Sequence, residues 1–340
     1  MSTATSTQWH LVRRPVGEPT PDDVARVEAT LDELGPDEVR VANAFLSVDP
    51  YMRGRMDDKP SYVPPFRLDE AMTGAAVGHV VESTSDALPV GTMVTHQYGW
   101  RDVAQGPAAR FTAVEELDGV SLSAYLGVLG LTGLTAYTGL VRIAEMKEGD
   151  AVFVSGAAGA VGSMVGQIAR LRGASRVIGS AGSAEKIALL TDRYGFDAAF
   201  DYHDGDIRGQ LKAAAPDGID VYFDNVGGEH LSAALHRLKR FGRIAVCGAI
   251  SAYNSTGEPE GITGMTNVVR NSLRIEGFTM GDHWDLGADF QAEMRPWLEN
   301  GDVVFDETIL DGVDNAFDAF TRMMRGENVG KMVVRVTEPS

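Results

Sequence analysis

Cysteine is almost absent: the chain of 340 residues carries only Cys247. No intrachain disulfide can form and no zinc centre built on several thiolates can be assembled; such sparing use of cysteine fits a reducing compartment, so the cytoplasm is the expected location. Basic residues are scarce against acidic ones, 30 Lys and Arg facing 48 Asp and Glu, which leaves a formal net charge of −18. A surface of that sign repels nucleic acid and anionic membranes, and neither is expected as a partner. Long apolar runs are missing with one exception, the uncharged stretch 119–141. Its glycines at 119, 127, 130, 133 and 139 and its interspersed Ser and Thr make it only mildly apolar, so it reads as a buried helical segment between domains, not as a membrane span. The polar opening MSTATSTQWHLVRR lacks the apolar centre of a secretory signal. What remains is the composition of a soluble globular protein, 44% hydrophobic and 23% charged, at a length that suits about two domains.

Residues 1–125 hold short β-like runs at 38–45, 74–81 and 92–95, punctuated by Gly and Pro. From residue 150 the pattern changes to apolar strands alternating with helical stretches, the order of a parallel sheet covered on both faces. Strands are predicted at 151–155, 176–180, 198–202, 220–224, 243–247 and 274–279, which is the Rossmann count. The tail reads as a strand near 303–310, a helix over about 313–324 and a strand at 331–336, an ending suited to a return to the first domain. The expected fold class is α/β, a doubly wound Rossmann sheet over 126–302 beside a mostly β domain over 1–125 completed by 303–340.

The strand at 151–155 runs into Gly156-Ala-Ala-Gly159-Ala160-Val161-Gly162-Ser163 and then a helix. Three glycines at spacing three, opening a helix after a buried strand, let backbone approach a pyrophosphate placed on the helix N-terminus. An NAD-selective site ends its second strand in Asp or Glu, about 20 residues after the glycines. Here the strand tip is Gly179-Ser-Ala-Gly-Ser183, small and neutral, with Lys186 one turn later. Losing the carboxylate relieves repulsion with a 2′-phosphate and Lys186 supplies a countercharge, so the reading is NADP(H). The alternative makes Lys186 a solvated helix residue and gives Glu185 the acidic role. Tyr202 has two readings, support for the 2′-phosphate or packing.

Longer blocks carry a resemblance: Leu46-Ser-Val-Asp-Pro-Tyr51-Met-Arg-Gly-Arg-Met56, Pro60-Ser-Tyr-Val-Pro-Pro65, Gly130-Leu-Thr-Gly-Leu-Thr-Ala-Tyr137, Asp224-Asn-Val-Gly-Gly228, 242–254 and Gly326-Glu-Asn-Val-Gly-Lys331. They are spread over nearly the whole chain, and the sequence resembles the zinc-independent branch of the medium-chain dehydrogenases/reductases, where curcumin reductases and 15-oxoprostaglandin 13-reductases are found. The resemblance implies a GroES-like catalytic domain and NADPH-dependent reduction of carbon-carbon double bonds in bulky hydrophobic enones and enals. It further implies a homodimer, and cofactor contacts from Gly159, Ala160, Val161, Gly162, Ser163, Lys186, Tyr202, Asn225, Cys247, Gly248, Ala249, Ile250, Ser251, Tyr253, Phe278, Met280 and Asn328. One departure is His203, where relatives often carry Lys.

Zinc is not expected, because one cysteine cannot build the family's zinc sites, and His79 reads as a strand histidine and Cys247 as a packing residue. Hydride addition to the β-carbon of an enone pushes charge onto the carbonyl oxygen, and the enolate needs only hydrogen-bond donors. Tyr253 and Tyr51 are the candidate catalytic residues for that task, each joining an apolar ring to one O–H; packing is the competing role for both. Arg53 and Arg55, next to Tyr51, have two readings, an approach to the cofactor or the substrate mouth and, preferred, charged surface residues, while 62–66 and His283-Trp284 suggest apolar walls for the substrate. An NADPH quinone reductase and a non-catalytic NADPH-binding protein are the competing functions, since fold does not fix function.

Overall fold

The computed structural model describes residues 4–258 and 261–336, which form two compact units. One holds the chain up to Gly127, Glu307–Asn328 and the segment from Met332; the other holds Val128–Asp306 and Val329–Lys331.

The first unit opens with an antiparallel pair, β1 (Thr5–Leu11) and β2 (Val24–Thr30). Its main sheet is built on β3 (Glu38–Ser47), a ten-residue strand that is buried along most of its length and pairs with three partners. The helix α1 (Tyr51–Arg55) follows at once, and then β4 (Ala76–Ser83), β5 (Met93–His96), β6 (Val103–Pro107) and β7 (Phe111–Ala113). Gly78 lets β4 lie against β3: a Cβ there would sit 2.1 Å from the Ala42 carbonyl oxygen. His79 pairs with Ala42 and Met93 as an ordinary strand residue.

The second unit begins with α2 (Leu131–Thr138), buried from Thr132 to its end. Its strands are β8 (Ala151–Val154), β9 (Arg176–Ala181), β10 (Ala198–Asp201), β11 (Ile219–Asp224), β12 (Leu238–Val246) and β13 (Arg274–Gly277). They form one sheet in the order β10-β9-β8-β11-β12-β13, with every neighbouring pair parallel. That is the doubly wound order, with the chain running outward one way from β8 and the other way from β11. The helices α3 (Ala160–Leu171), α4 (Ala184–Asp192), α5 (Ile207–Ala214), α6 (Gly228–Arg237), α7 (Thr266–Arg270) and α8 (Gly287–Glu299) fill the connections. In the tail, β14 (Glu307–Asp311), α9 (Ala316–Met324) and β15 (Lys331–Arg335) follow, and the two strands extend the sheet of the first unit through β15 pairing with β3.

Three predicted boundaries shift. β12 starts at Leu238, ahead of the expected residue 243, because Phe241 takes a left-handed φ of 63° and the strand continues through it. β13 stops at Gly277, so Phe278 lies beyond it and Met280 opens a 3-10 turn. The tail strand begins at Glu307, not 303. Val303 is buried, and Val304 instead exchanges two hydrogen bonds of 2.9 Å with the Gln167 carboxamide on α3. Stretch 119–141 contains only short helical pieces, and no helix among the described residues is long and apolar enough to cross a membrane.

Candidate functional site

The β8 strand is buried at every residue, as a central parallel strand must be, and it delivers the chain to Gly156, which turns with φ of 60°. Gly159 caps α3 without any side-chain hydrogen bond, so the amides of Ala160, Val161 and Gly162 open a twelve-residue helix with no internal acceptor. The Ser163 amide is already committed to the Gly159 carbonyl at 3.0 Å. A Cβ on Gly162 would lie 2.4 Å from the Gly156 carbonyl oxygen and 2.7 Å from Ala157 Cα. Only glycine allows that close pass, which brings the helix N-terminus against the turn and creates an anion cradle. Gly166 does the same for packing, since a Cβ there would fall 2.1 Å from the Phe196 ring. The cradle fits a dinucleotide pyrophosphate.

At the end of β9, Ser183 caps α4 by accepting the Lys186 amide at 3.3 Å. Lys186 is half-buried, and burial lowers its ammonium below the ordinary lysine range; a cation partly stripped of water gains most from an anionic partner. The Tyr202 ring stands over the same turn, its hydroxyl placed so that a Cβ on Gly182 would meet it at 2.7 Å. His203 also faces this turn, with Nδ1 3.1 Å from the Gly182 carbonyl oxygen. Glu185 is exposed in the first turn of α4. The small residues at the strand tip thus lie beside Tyr202 and His203, and Lys186 follows in the first turn of α4.

Across the sheet, β11 and β12 end in two interlocked loops. Asn225 donates its amide to Ser155 Oγ at 3.0 Å and its side chain to the Ser155 carbonyl at 2.8 Å. Ile250 donates to the Asn225 carbonyl at 3.2 Å, and Ser251 Oγ to that of Val226 at 2.6 Å. Tyr253 folds back over this loop: a Cβ on Gly248 would be 3.2 Å from its hydroxyl, which accepts from the Ala249 amide at 3.5 Å. Its own hydrogen has no acceptor among the described residues. Burial raises the Tyr253 phenol above its usual range and the Ala249 amide offsets part of that, so at neutral pH the group is an uncharged donor. Cys247, its thiol pushed up to about 12 by burial and by Asp224, is a poor nucleophile and packs beside the loop. Phe278 meets Phe223 edge-to-face with ring centroids 6.3 Å apart, just after β13.

Tyr51 and Asn328 belong to the first unit, unlike the other candidates. Tyr51 opens α1 half-buried, hydrogen-bonded to Arg55, and burial followed by the Asp49 charge raises its phenol. Arg55 is no surface residue. Its guanidinium stacks 4.0 Å over the Phe66 ring and donates to the Pro64 carbonyl, the Thr73 carbonyl and Thr73 Oγ1. Arg53 is buried too, giving two hydrogen bonds to the Gly17 carbonyl and one to Asp57 at 2.8 Å. Both arginines depart from the sequence reading because the carbonyls that satisfy them arrive from distant loops. Of the proposed apolar walls, Phe66 is buried in the core while Tyr62 and Trp284 are largely exposed.

Sequence reasoning missed Gly330. Its amide donates to the Ala158 carbonyl in the glycine-rich turn at 2.8 Å, and a Cβ on it would meet the Asp306 carbonyl oxygen at 1.8 Å. The block Gly326–Lys331 held the signal, but its distant partner is visible only in three dimensions.

Two family models match the chain: one described as the N-terminal domain of oxidoreductase, over residues 7–114, and one described as zinc-binding dehydrogenase, over residues 160–300. The NADPH-dependent curcumin reductase of Escherichia coli is 39% identical over 334 residues, covering 97% of this chain and 96% of that one. Prostaglandin reductase 1 of Oryctolagus cuniculus is 42% identical over 330 residues, 95% of this chain and 91% of that protein. The crystal structure of CurA in complex with NADPH from Vibrio vulnificus superposes with a TM-score of 0.93 at 39% identity, covering 99% of this chain and 100% of that one. The chain belongs to the medium-chain dehydrogenase/reductase family. Within the medium-chain family it falls on the zinc-independent NADPH oxidoreductase branch. Zinc, named in one of the family descriptions, does not fit the residues here: among the described residues no three His, Cys, Asp or Glu side chains converge, and the single thiol resists the thiolate form a zinc ligand needs.

Proposed function

We propose that this chain is an NADPH-dependent reductase of the carbon-carbon double bond in α,β-unsaturated ketones and aldehydes, acting on bulky hydrophobic enones. The observation that carries the reading is the Tyr253 hydroxyl, neutral and with an uncommitted hydrogen, standing on a loop at the carboxyl end of a sheet that also builds a dinucleotide cradle. The relatives named above, a curcumin reductase and a prostaglandin reductase, support it.

Bound NADPH supplies the hydride. The helix α3 amides hold the pyrophosphate, and Lys186 and Tyr202 hold the 2′-phosphate. When charge reaches the substrate's carbonyl oxygen, Tyr253 donates its O–H to the enolate, and the Ala249 amide sharpens that donor by pulling on the phenol oxygen. Tyr51, hydrogen-bonded to Arg55 within the first unit, is the other candidate donor. The α-carbon takes its proton from Tyr253 or from water. The test is a substrate panel: NADPH should be oxidised by enones and enals, curcumin among them, and left untouched by the corresponding saturated ketones. Oxidation by quinones alone would replace this reading with a quinone reductase.

The reading includes a cytoplasmic location, supported by the near absence of cysteine, and a homodimer. Support for the dimer comes from β13, the terminal strand of its sheet, whose Ile275 is 38% exposed beside exposed Glu276 and Gly277; a free edge of this kind pairs with another copy. Light scattering should give twice 36.4 kDa, and a single-chain mass would contradict the dimer.

A further inference from the structure

The carboxyl ends of β8 and β11 flank the point where the winding of the sheet reverses, and ligands of doubly wound sheets bind in the crevice there. One half of such a sheet serves the adenosine end, here around β9; the other half, beyond β11, faces the second nucleotide. Asp224, the last residue of β11, lies at this point with no exposed surface. Burying a carboxyl costs free energy unless donors surround it. Four donors converge on its Oδ1: the Tyr222 hydroxyl at 2.7 Å, the Gly227 amide at 2.8 Å, the Val226 amide at 3.0 Å and Ser155 Oγ at 3.2 Å. Its carbonyl accepts the amides of Cys247 at 2.9 Å and Gly248 at 3.1 Å. Gly227 and Gly228 both take left-handed φ, 75° and 53°, to wrap this turn around the carboxyl. Its Oδ2 has no partner among the described residues.

We propose that Asp224 is the positioning residue for the second-nucleotide half of the cofactor site: its buried Oδ1 holds the Ser155 hydroxyl at the end of β8 and the 225–228 turn, while its main-chain carbonyl holds the 247–251 loop. The proposal rests on the cofactor reading above. Asn225 links the same three segments through Ser155 and the Ile250 amide, and Asp224 sets the turn that presents it: the Val226 and Gly227 amides both donate to its Oδ1, and the Ser155 hydroxyl that accepts the Asn225 amide donates to Asp224 in turn. The residue acts through its neighbours and is not itself a contact to the reacting atoms.

Asp224→Asn keeps the volume but places an amide N–H₂ where Oδ2 has no acceptor, or else turns it against the two backbone amides. Titration calorimetry with NADPH and with adenosine 2′,5′-bisphosphate, which occupies only the adenosine half, separates the possibilities. The expected result is an affinity for NADPH about tenfold weaker with the bisphosphate bound as in the wild type. Unchanged NADPH binding, or an equal loss for both ligands, would overturn the proposal, the second by showing a general structural defect. Wild-type protein that binds neither ligand would overturn the cofactor reading, and this proposal with it. Should Asp224→Asn fail to fold, Tyr222→Phe removes one donor to the same oxygen while keeping the carboxylate; it should weaken NADPH by a smaller factor and spare the bisphosphate, and any other pattern counts against the proposal.

Discussion

Tyr253→Phe is expected to lower the turnover number with an enone about 100- to 1000-fold, the loss seen when one preorganised donor to a developing oxyanion is removed. The ring stays in place, because its position over Gly248 and Ala249 is set by the loop hydrogen bonds of Ile250 and Ser251. NADPH affinity should therefore change far less than turnover. That split distinguishes a donor from a packing group: a tyrosine that only fills space would lose affinity and stability together and leave turnover on the bound cofactor almost intact. Steady-state rates at saturating NADPH, paired with a binding titration, measure both quantities. An unchanged turnover number would remove Tyr253 from the chemistry.

Lys186→Ala should weaken NADPH by about 10- to 100-fold, as expected for a charge-assisted hydrogen bond worth roughly 1.5–3 kcal/mol. NADH, which lacks the 2′-phosphate, should bind the variant and the wild type alike. The half-burial of the side chain makes its charge less screened by salt than that of an exposed lysine, so the discrimination should survive moderate ionic strength. Paired fluorescence titrations with the two cofactors decide the matter. Equal losses for both would mean that Lys186 supports the turn and does not read the phosphate, and a wild type that uses NADH as well as NADPH would return the discriminating role to Glu185.

The nucleotide-binding sheet was legible because buried parallel strands are written in apolar residues with small or polar stops, as in Ala151–Val154 and Ile219–Asp224. All six predicted strands are present in the doubly wound order, with the start of β12 and the end of β13 shifted. The first unit was less so: β1, written Thr-Ser-Thr-Gln-Trp-His-Leu, carries little apolar signal, and its pairing with β2 supplies what its composition does not. Charged Lys239 and Arg240 and exposed Phe241 concealed the start of β12. At the site, local chemistry was visible and long-range satisfaction was not. The glycine spacing at 156, 159 and 162 follows from a steric need that the structure displays directly. By contrast, the burial of Arg53 depends on a carbonyl 36 residues away at Gly17, and the role of Gly330 on carbonyls at Ala158 and Asp306. Spacing carries no trace of such partners.

The measurement that bears most directly on the account is product analysis after turnover with NADPH deuterated at C4 of the nicotinamide, each face labelled in turn, and a simple enone as substrate. One label should appear on the β-carbon of a saturated product whose carbonyl is intact. Deuterium on the carbonyl carbon of an allylic alcohol would contradict it, because the hydride would then have gone to the atom that the tyrosine-stabilised enolate requires to remain a carbonyl.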